Sequence, residues 1–251
     1  MEQQLTVSII MPAYNCMDTI RASAMSALCQ TAGTLELIIV DDCSTDGTIE
    51  IIMELASSDP RVKILQNESN RGVAASRNRA INVASGELIA FFDSDDLWEP
   101  DKLAKQISLM QETDRDLCYT SYDYVDKGGI PIYRPYIVPE TIDYDGLLKE
   151  NVIGLSSVVL RKDVLGELRF DESLFHEDLA LWLKLLRAGT AAQGLSEVLT
   201  HNRIGGRSHD KWKALMNRWR VYRKSEELSA VRSCWYLAHY ILAGLIKYKK
   251  R

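Results

Sequence analysis

The chain has 251 residues, 46% of them hydrophobic, which supports one large domain or a domain with a modest appendage. Its five cysteines, Cys16, Cys29, Cys43, Cys118 and Cys234, are odd in number and form no CxxC pair, so neither a disulfide framework nor a zinc site is indicated. The net charge of −5 hides an asymmetry: residues 203–251 hold 13 Lys and Arg against 3 Asp and Glu, a balance of +10, leaving 17 against 32, or −15, in the first 202.

The chain opens on "MEQQLTVSII", which is acidic and runs straight into a strand-like segment, an argument against a secretory signal. Residues 6–14 read as a strand, 19–30 as a helix with Asp18 as its cap, and 35–42, "LELIIVDD", as a buried strand. The pattern repeats as a helix over 48–57, a short strand over 62–65, a helix over 73–85 closed by Gly86, and a buried strand over 87–92. Strands alternating with helices of this length predict an α/β fold with a mostly parallel sheet covered on both faces. Ligands of such sheets bind at the carboxyl ends of the strands, which is where Tyr14, Asp42 and the cluster Asp93, Asp95 and Asp96 fall.

After Pro100 the spacing predicts a helix over 101–112 and a strand over 117–125 that enters a hairpin at "DKGG". A further strand is expected over 152–160, an amphipathic helix over 177–189 with Glu177 and Asp178 at its start, and an edge strand over 196–204. The remainder reads as helical and basic. No apolar run reaches the roughly 18 residues of a membrane-spanning helix. The segment 233–251, with an apolar stretch of about 14 residues, is instead suited to lying in a membrane interface beside the Trp, Tyr, Lys and Arg of 211–224, or to packing on the body of the fold.

Three carboxylates in "FFDSDD" repel one another unless something positive joins them, and a divalent cation is the obvious partner. A pair of strand-end aspartates also fits a phosphatase-like hydrolase, but that reading leaves "VDDCSTDGT" unexplained. The basic tail by itself would suit a nucleic-acid-binding protein, against which the charge of the body argues.

The motifs "VSIIMPAYN", "LIIVDDCSTDGT", "NRGVAASRNRAINVASGELIAFFDSDD" and "HEDLALWLKLLRAG" occur together in one order, and in that order the chain resembles family 2 glycosyltransferases with the GT-A (Rossmann-like) fold. The resemblance implies a domain over 1–205, with a nucleotide-binding half over 1–98 and an acceptor-binding half over 99–205, followed by a basic amphipathic helical region over 206–251. It further implies a UDP-sugar donor, UDP-glucose or UDP-galactose foremost, with UDP-GlcNAc, UDP-GalNAc and dTDP-rhamnose as alternatives. Asp42 would bind the uracil imide, Tyr14 would stack beside the base, and Pro12 and Ala13 would give backbone contacts. Of the segment Asp93, Ser94, Asp95 and Asp96, the resemblance implies that one Asp faces the ribose or sugar and another holds Mn²⁺ or Mg²⁺ at the diphosphate, with Asp93, Ser94 and Asp95 as nucleotide-sugar contacts and Asp95 and Asp96 as metal ligands.

Arg77 either reaches the nucleotide or belongs to the polar face of its helix. Asp178 matches the family's catalytic base, its other reading being a helix cap; Arg207, with His209, is a candidate diphosphate contact. The resemblance points to an inverting hexosyltransferase that forms a β-linkage on a polyprenyl-diphosphate-linked saccharide, as in O-antigen assembly. The expected location is the cytoplasmic face of the cell membrane, held peripherally through the basic tail, with no nucleic-acid partner.

Overall fold

A computed structural model describes the backbone of residues 5–204 and 211–249 and the side chains of residues 5–204 and 212–242. An eight-stranded sheet forms its centre, built from β1 (Val7–Ala13), β2 (Leu35–Asp41), β3 (Val62–Gln66), β4 (Leu88–Phe91), β5 (Leu97–Trp98), β6 (Leu117–Val125), β7 (Val159–Arg161) and β8 (Ala192–Arg203). The spatial order is β3-β2-β1-β4-β7-β6-β8-β5. β3, β2, β1 and β4 are parallel, as are β6 and β8, whereas β7 runs antiparallel to both its neighbours and β5 antiparallel to β8. The sheet is therefore mixed, and its parallel character is concentrated in the first half.

The helices are α1 (Ile20–Leu28), α2 (Thr48–Ser58), α3 (Val73–Val83), α4 (Lys102–Thr113), α5 (Tyr144–Lys149), α6 (Lys162–Leu165), α7 (Glu177–Arg187), α8 (Lys211–Arg220) and α9 (Ala230–Lys249). Every residue of β1 and β2 is buried, the signature of strands covered on both faces. Side chains alternate between two cores. Ile9, Met11, Leu37 and Ile39 join α1, α2 and α4 on one face, while Ile10, Ile38, Val40 and Phe91 join α3, α5 and α7 on the other.

Four expectations are corrected. The segment 152–160 is mostly a turn, Leu155–Ser157 forming a 3₁₀ helix before the three-residue β7. β8 is an interior strand between β6 and β5, and the edges are β3 and β5. Thr19, not Asp18, precedes the first helical residue of α1. α3 ends at Val83, and Gly86 has a different reason: a Cβ there would lie 2.6 Å from Ser8 N, so only glycine lets the chain pass the start of β1. Gly189, by contrast, ends α7 as expected, with a left-handed φ of 97°.

The described helices beyond β8 are integral to the body. Val221, Tyr222 and Tyr236 are buried in the same core as α5 and α7, and the buried guanidinium of Arg218 donates to the carbonyls of Leu147 and Leu148 at the carboxyl end of α5. No described helix is long and apolar enough to cross a membrane.

Candidate active site

Parallel pairing brings three strand ends to one level. Ala13 lies beside Asp41, Asp42 N donates to Ala13 O, and Phe92 N donates to Ile10 O, so the residues following β1, β2 and β4 meet at one rim. There a cavity of about 1250 Å³ opens, lined among others by Tyr14, Asp42, Arg77, Asp95, Asp178 and Arg203. Pro12, Ala13, Asp93, Ser94 and Asp96 also reach its wall. Arg207 lies outside the described residues, as does His209.

The two loops that follow β1 and β2 are tied together. Asn15 N donates to Ser44 Oγ and Thr45 N to Asn15 Oδ1, while Cys16 N donates to Thr48 Oγ1. Asp46 accepts from Thr48 N, so Ser44 and Asp46 serve the loop itself. Asp41 is fully buried and accepts from Ser44 N, leaving Asp42 as the member of the pair that faces the cavity. The Asp42 carboxylate accepts from Asn67 Nδ2 at 2.6 Å, Arg71 N at 2.9 Å and Gly72 N at 2.8 Å. A carboxylate has about four lone-pair sites, so Asp42 is fixed in orientation with about one acceptor position to spare.

One ligand atom from each of Asp93, Asp95 and Asp96 falls within 4.8 Å of the others. Asp96 is the buried member; its Oδ2 accepts from Ser156 Oγ at 2.5 Å and its Oδ1 from Arg203 N at 3.2 Å. Burial, and then the charges of Asp95 and Asp93, push its carboxyl well above the usual carboxylate range. Such a set of hard oxygen donors fits Mg²⁺ or Mn²⁺. Ser156 Oγ also accepts from Asp93 N, so one turn residue orients both ends of the cluster. The turn is pinned in its turn: Trp98 Nε1 donates to Ser156 O, and the Trp98 ring stacks on Phe92 with centroids 4.1 Å apart.

Of the two readings of Arg77, a place on the solvated polar face of its helix does not hold. Arg77 is 2% exposed, with Nη2 2.6 Å from Asp93 Oδ1 and Nη1 2.8 Å from Glu177 Oε1. Helix α3 thereby joins the aspartate cluster to the first residue of α7. Burial opposes the charge of Arg77, but Asp93 and Glu177 outweigh it and raise the guanidinium pKa. Removing the cation takes the Arg77 ion pair away from the buried carboxylate of Glu177, so Arg77→Met should destabilise the fold by about 3–5 kcal/mol, read by urea unfolding. A loss below about 1 kcal/mol would show that the pair does not hold these elements together.

Asp178 stands in the first turn of α7 and faces the cavity, one residue beyond the bridge to Arg77. The N-cap position belongs to His176, which makes no side-chain cap bond, so capping is not the task of Asp178. Sequence reasoning missed Ser156 and Arg203. Arg203 lines the cavity, donating from Nη1 to Asp95 O at 3.0 Å, and stands at the end of β8, where the strand-end rule could have found it. His201, read as structural, bridges Asp123 at 2.6 Å and Glu99 at 3.0 Å and so ties β5 to β6 and β8.

Comparison with known proteins agrees with this geometry. TuaG of Bacillus subtilis, named for teichuronic acid biosynthesis, is 38% identical over 236 residues, covering 93% of this chain and 94% of its own. An Escherichia coli protein, WfgD, named a UDP-Glc:α-D-GlcNAc-diphosphoundecaprenol β-1,3-glucosyltransferase, is 37% identical over 245 residues, covering 96% of this chain and 94% of its own. The structure of S. aureus TarS with UDP superposes with a TM-score of 0.69 at 22% identity, over 94% of this chain and 71% of that one, and so shares the GT-A fold. The family model "Glycosyl transferase family 2" matches residues 8–168, and the chain belongs to that family.

Proposed function

We propose that the protein is an inverting hexosyltransferase that moves glucose from UDP-glucose onto a lipid-diphosphate-linked saccharide, forming a β-linkage in surface polysaccharide assembly. The observation that carries this reading is the convergence of Asp42, the Asp93–Asp96 cluster and Asp178 on one cavity. Likeness over nearly the full length to WfgD, whose name specifies that donor and a diphosphoundecaprenol acceptor, supports the choice of substrates.

In this reading the half over 1–98 serves the donor. Tyr14 lies against the base, Asp42 accepts from the imide N–H, and Pro12 and Ala13 supply backbone contacts. Asp93 and Ser94 face the ribose or sugar, with Arg77 near the nucleotide and also holding Asp93 against Glu177. Asp95 and Asp96 would hold Mg²⁺ or Mn²⁺, which supplies positive charge to the departing diphosphate. Arg203 adds a fixed cation on the same side, and Arg207 is proposed to join it. The half over 99–205 serves the acceptor. The Asp178 carboxylate takes the proton from the acceptor hydroxyl as that oxygen attacks the anomeric carbon, and attack opposite the leaving group inverts the configuration. The test is transfer from a panel of UDP-sugars to synthetic lipid-diphosphate saccharides, with the linkage determined by NMR; an α-linked product, or no transfer from any UDP-sugar, overturns the assignment.

The basic region over 206–251 is proposed to rest peripherally on the anionic cytoplasmic leaflet. Its helices present Trp212, 77% exposed, and Val231, 80% exposed, together with Met216 and Leu242, among Lys and Arg side chains. Each basic residue near such a leaflet contributes roughly 1 kcal/mol. Because Val221, Tyr222 and Tyr236 belong to the core, truncation would damage the body, and surface variants make the cleaner test. The protein should sediment with phosphatidylglycerol vesicles but not with phosphatidylcholine vesicles, be released by high salt, and lose the association in the double variant Trp212→Glu, Val231→Glu. Equal recovery in the supernatant with both vesicle types contradicts the assignment.

A further inference from the structure

Behind the aspartate cluster, helix α4 buries a lysine that the mechanism above does not use. Lys102 is fully buried at the first position of α4, and no carboxylate stands against it among the described residues. Its Nζ donates to Gln106 Oε1 at 2.6 Å and lies over the Trp98 ring, 4.0 Å from the centroid. Burial pushes the pKa of its ammonium down to about 7. A buried cation without a counter-ion costs stability, and the helix dipole disfavours one in a first turn. An apolar side chain of similar volume would fill this place without either penalty, so the contacts of the amine are what distinguish it.

Those contacts lead to one turn. The Gln106 amide, held through its oxygen by Lys102, donates from Nε2 to Cys118 O at 3.1 Å and to Ser157 O at 2.9 Å. Both amide hydrogens are thereby committed and the orientation of the amide is fixed. The Trp98 ring lies against both the ammonium and Phe92, and its Nε1 donates to Ser156 O at 2.7 Å. Two consecutive carbonyls, those of Ser156 and Ser157, are thus gripped by the two side chains that Lys102 touches. From Ser156 the contacts continue to the cluster, its Oγ donating to Asp96 Oδ2 and accepting from Asp93 N.

We propose that Lys102 is a positioning residue for the metal site, its ammonium locking Trp98 and Gln106 into a bracket that sets where Ser156 holds Asp93 and Asp96. Lys102 lines no part of the cavity and acts through the turn. Cation binding needs its donor atoms placed to within about 0.2 Å, and loss of a group behind the ligands typically weakens metal affinity by about 10–100-fold. The proposal rests on the metal-dependent transfer reading above and adds to it a residue that lies behind the ligands.

Lys102→Met removes the charge and fills the place with an apolar side chain. Its melting temperature should stay level or rise, because a buried cation without a counter-ion is gone. Kd for Mn²⁺ in the presence of UDP, read by EPR, should weaken by about tenfold or more, while Kd for UDP without metal holds. Trp98→Phe keeps an aromatic ring beside Lys102 but loses the bond to Ser156 O, and it should weaken Mn²⁺ binding in the same way. The double variant should be no weaker than the worse of the two single ones, since both act through one turn. An unchanged Mn²⁺ Kd in Lys102→Met, a parallel loss of melting temperature and UDP affinity, or effects that multiply in the double variant would overturn the proposal. A parent enzyme that binds no Mn²⁺ with UDP would instead overturn the metal reading on which it rests.

Discussion

Asp178→Asn should lower kcat by about 10²–10⁴ while UDP and divalent metal bind as tightly as in the parent. The substitution keeps size and polarity and removes the proton-accepting charge, so what is lost is the transfer of the acceptor's proton. Stability should change little, because His176 occupies the N-cap position and Asp178 contributes to α7 only through its charge in the first turn, worth about 0.3–1 kcal/mol. Glu177 next to it gives the contrast. It is buried against Arg77, so Glu177→Gln should weaken the fold, whereas Asp178→Asn should weaken the chemistry. Loss of UDP binding in Asp178→Asn, or kcat within tenfold of the parent, would remove Asp178 from the role of base.

Chelation is expected to have an effect at least as large. EDTA should abolish transfer and Mn²⁺ or Mg²⁺ should restore it, because three carboxylates within 4.8 Å, one of them buried, leave a concentrated negative charge for a cation to balance. Asp95→Ala removes one of the ligands proposed for that cation without cutting the bonds from Ser156 and Arg203 that orient Asp96. It should reduce kcat/KM on the order of 10²-fold or more, since a Lewis acid at the leaving group is worth several kcal/mol. Binding gives a readout independent of turnover: Mn²⁺ together with UDP should raise the melting temperature of the parent and not that of Asp95→Ala. Full activity in EDTA would refute the metal assignment.

The first half of the fold was legible because its physics is local. Strands β1, β2 and β4 are buried on both faces and read as mostly apolar runs, apart from Ser8 in β1 and Glu36 in β2, and the polar residues that end them mark the rim. The second half was less legible. β7 has only three residues, and β8 is 12 residues long but has four exposed or half-exposed positions at its middle, so it read as an edge although β5 covers its far side. Arg77 could not be placed from its helix alone, because Glu177 is 100 residues away and no periodicity connects them. Ser156 lies in the short 3₁₀ segment before β7, where position is set by tertiary packing and no spacing rule reaches. Asp42 and Asp178 could be placed on the cavity rim because each sits at the end of a strand or the start of a helix, the two places where backbone geometry makes a polar residue's direction readable from its sequence position.

The alternation of β1 and β2 between two cores has a consequence for how such a chain can change over evolutionary time. Inserting or deleting one residue in either strand would exchange the side chains of the two cores and move the rim by a step, so the donor half should tolerate substitution but not changes of length. The segment between β6 and α5 is held differently, by the isolated bridges Tyr122–Tyr136, Val125–Pro131 and Thr141–Gln193 in place of a continuous ladder. A loop fastened at points can lengthen at small entropic expense, about 0.6 kcal/mol for each doubling. If the proposed division of labour holds, change in what receives the sugar can proceed by remodelling one loop, while the strands proposed to handle the nucleotide keep their length.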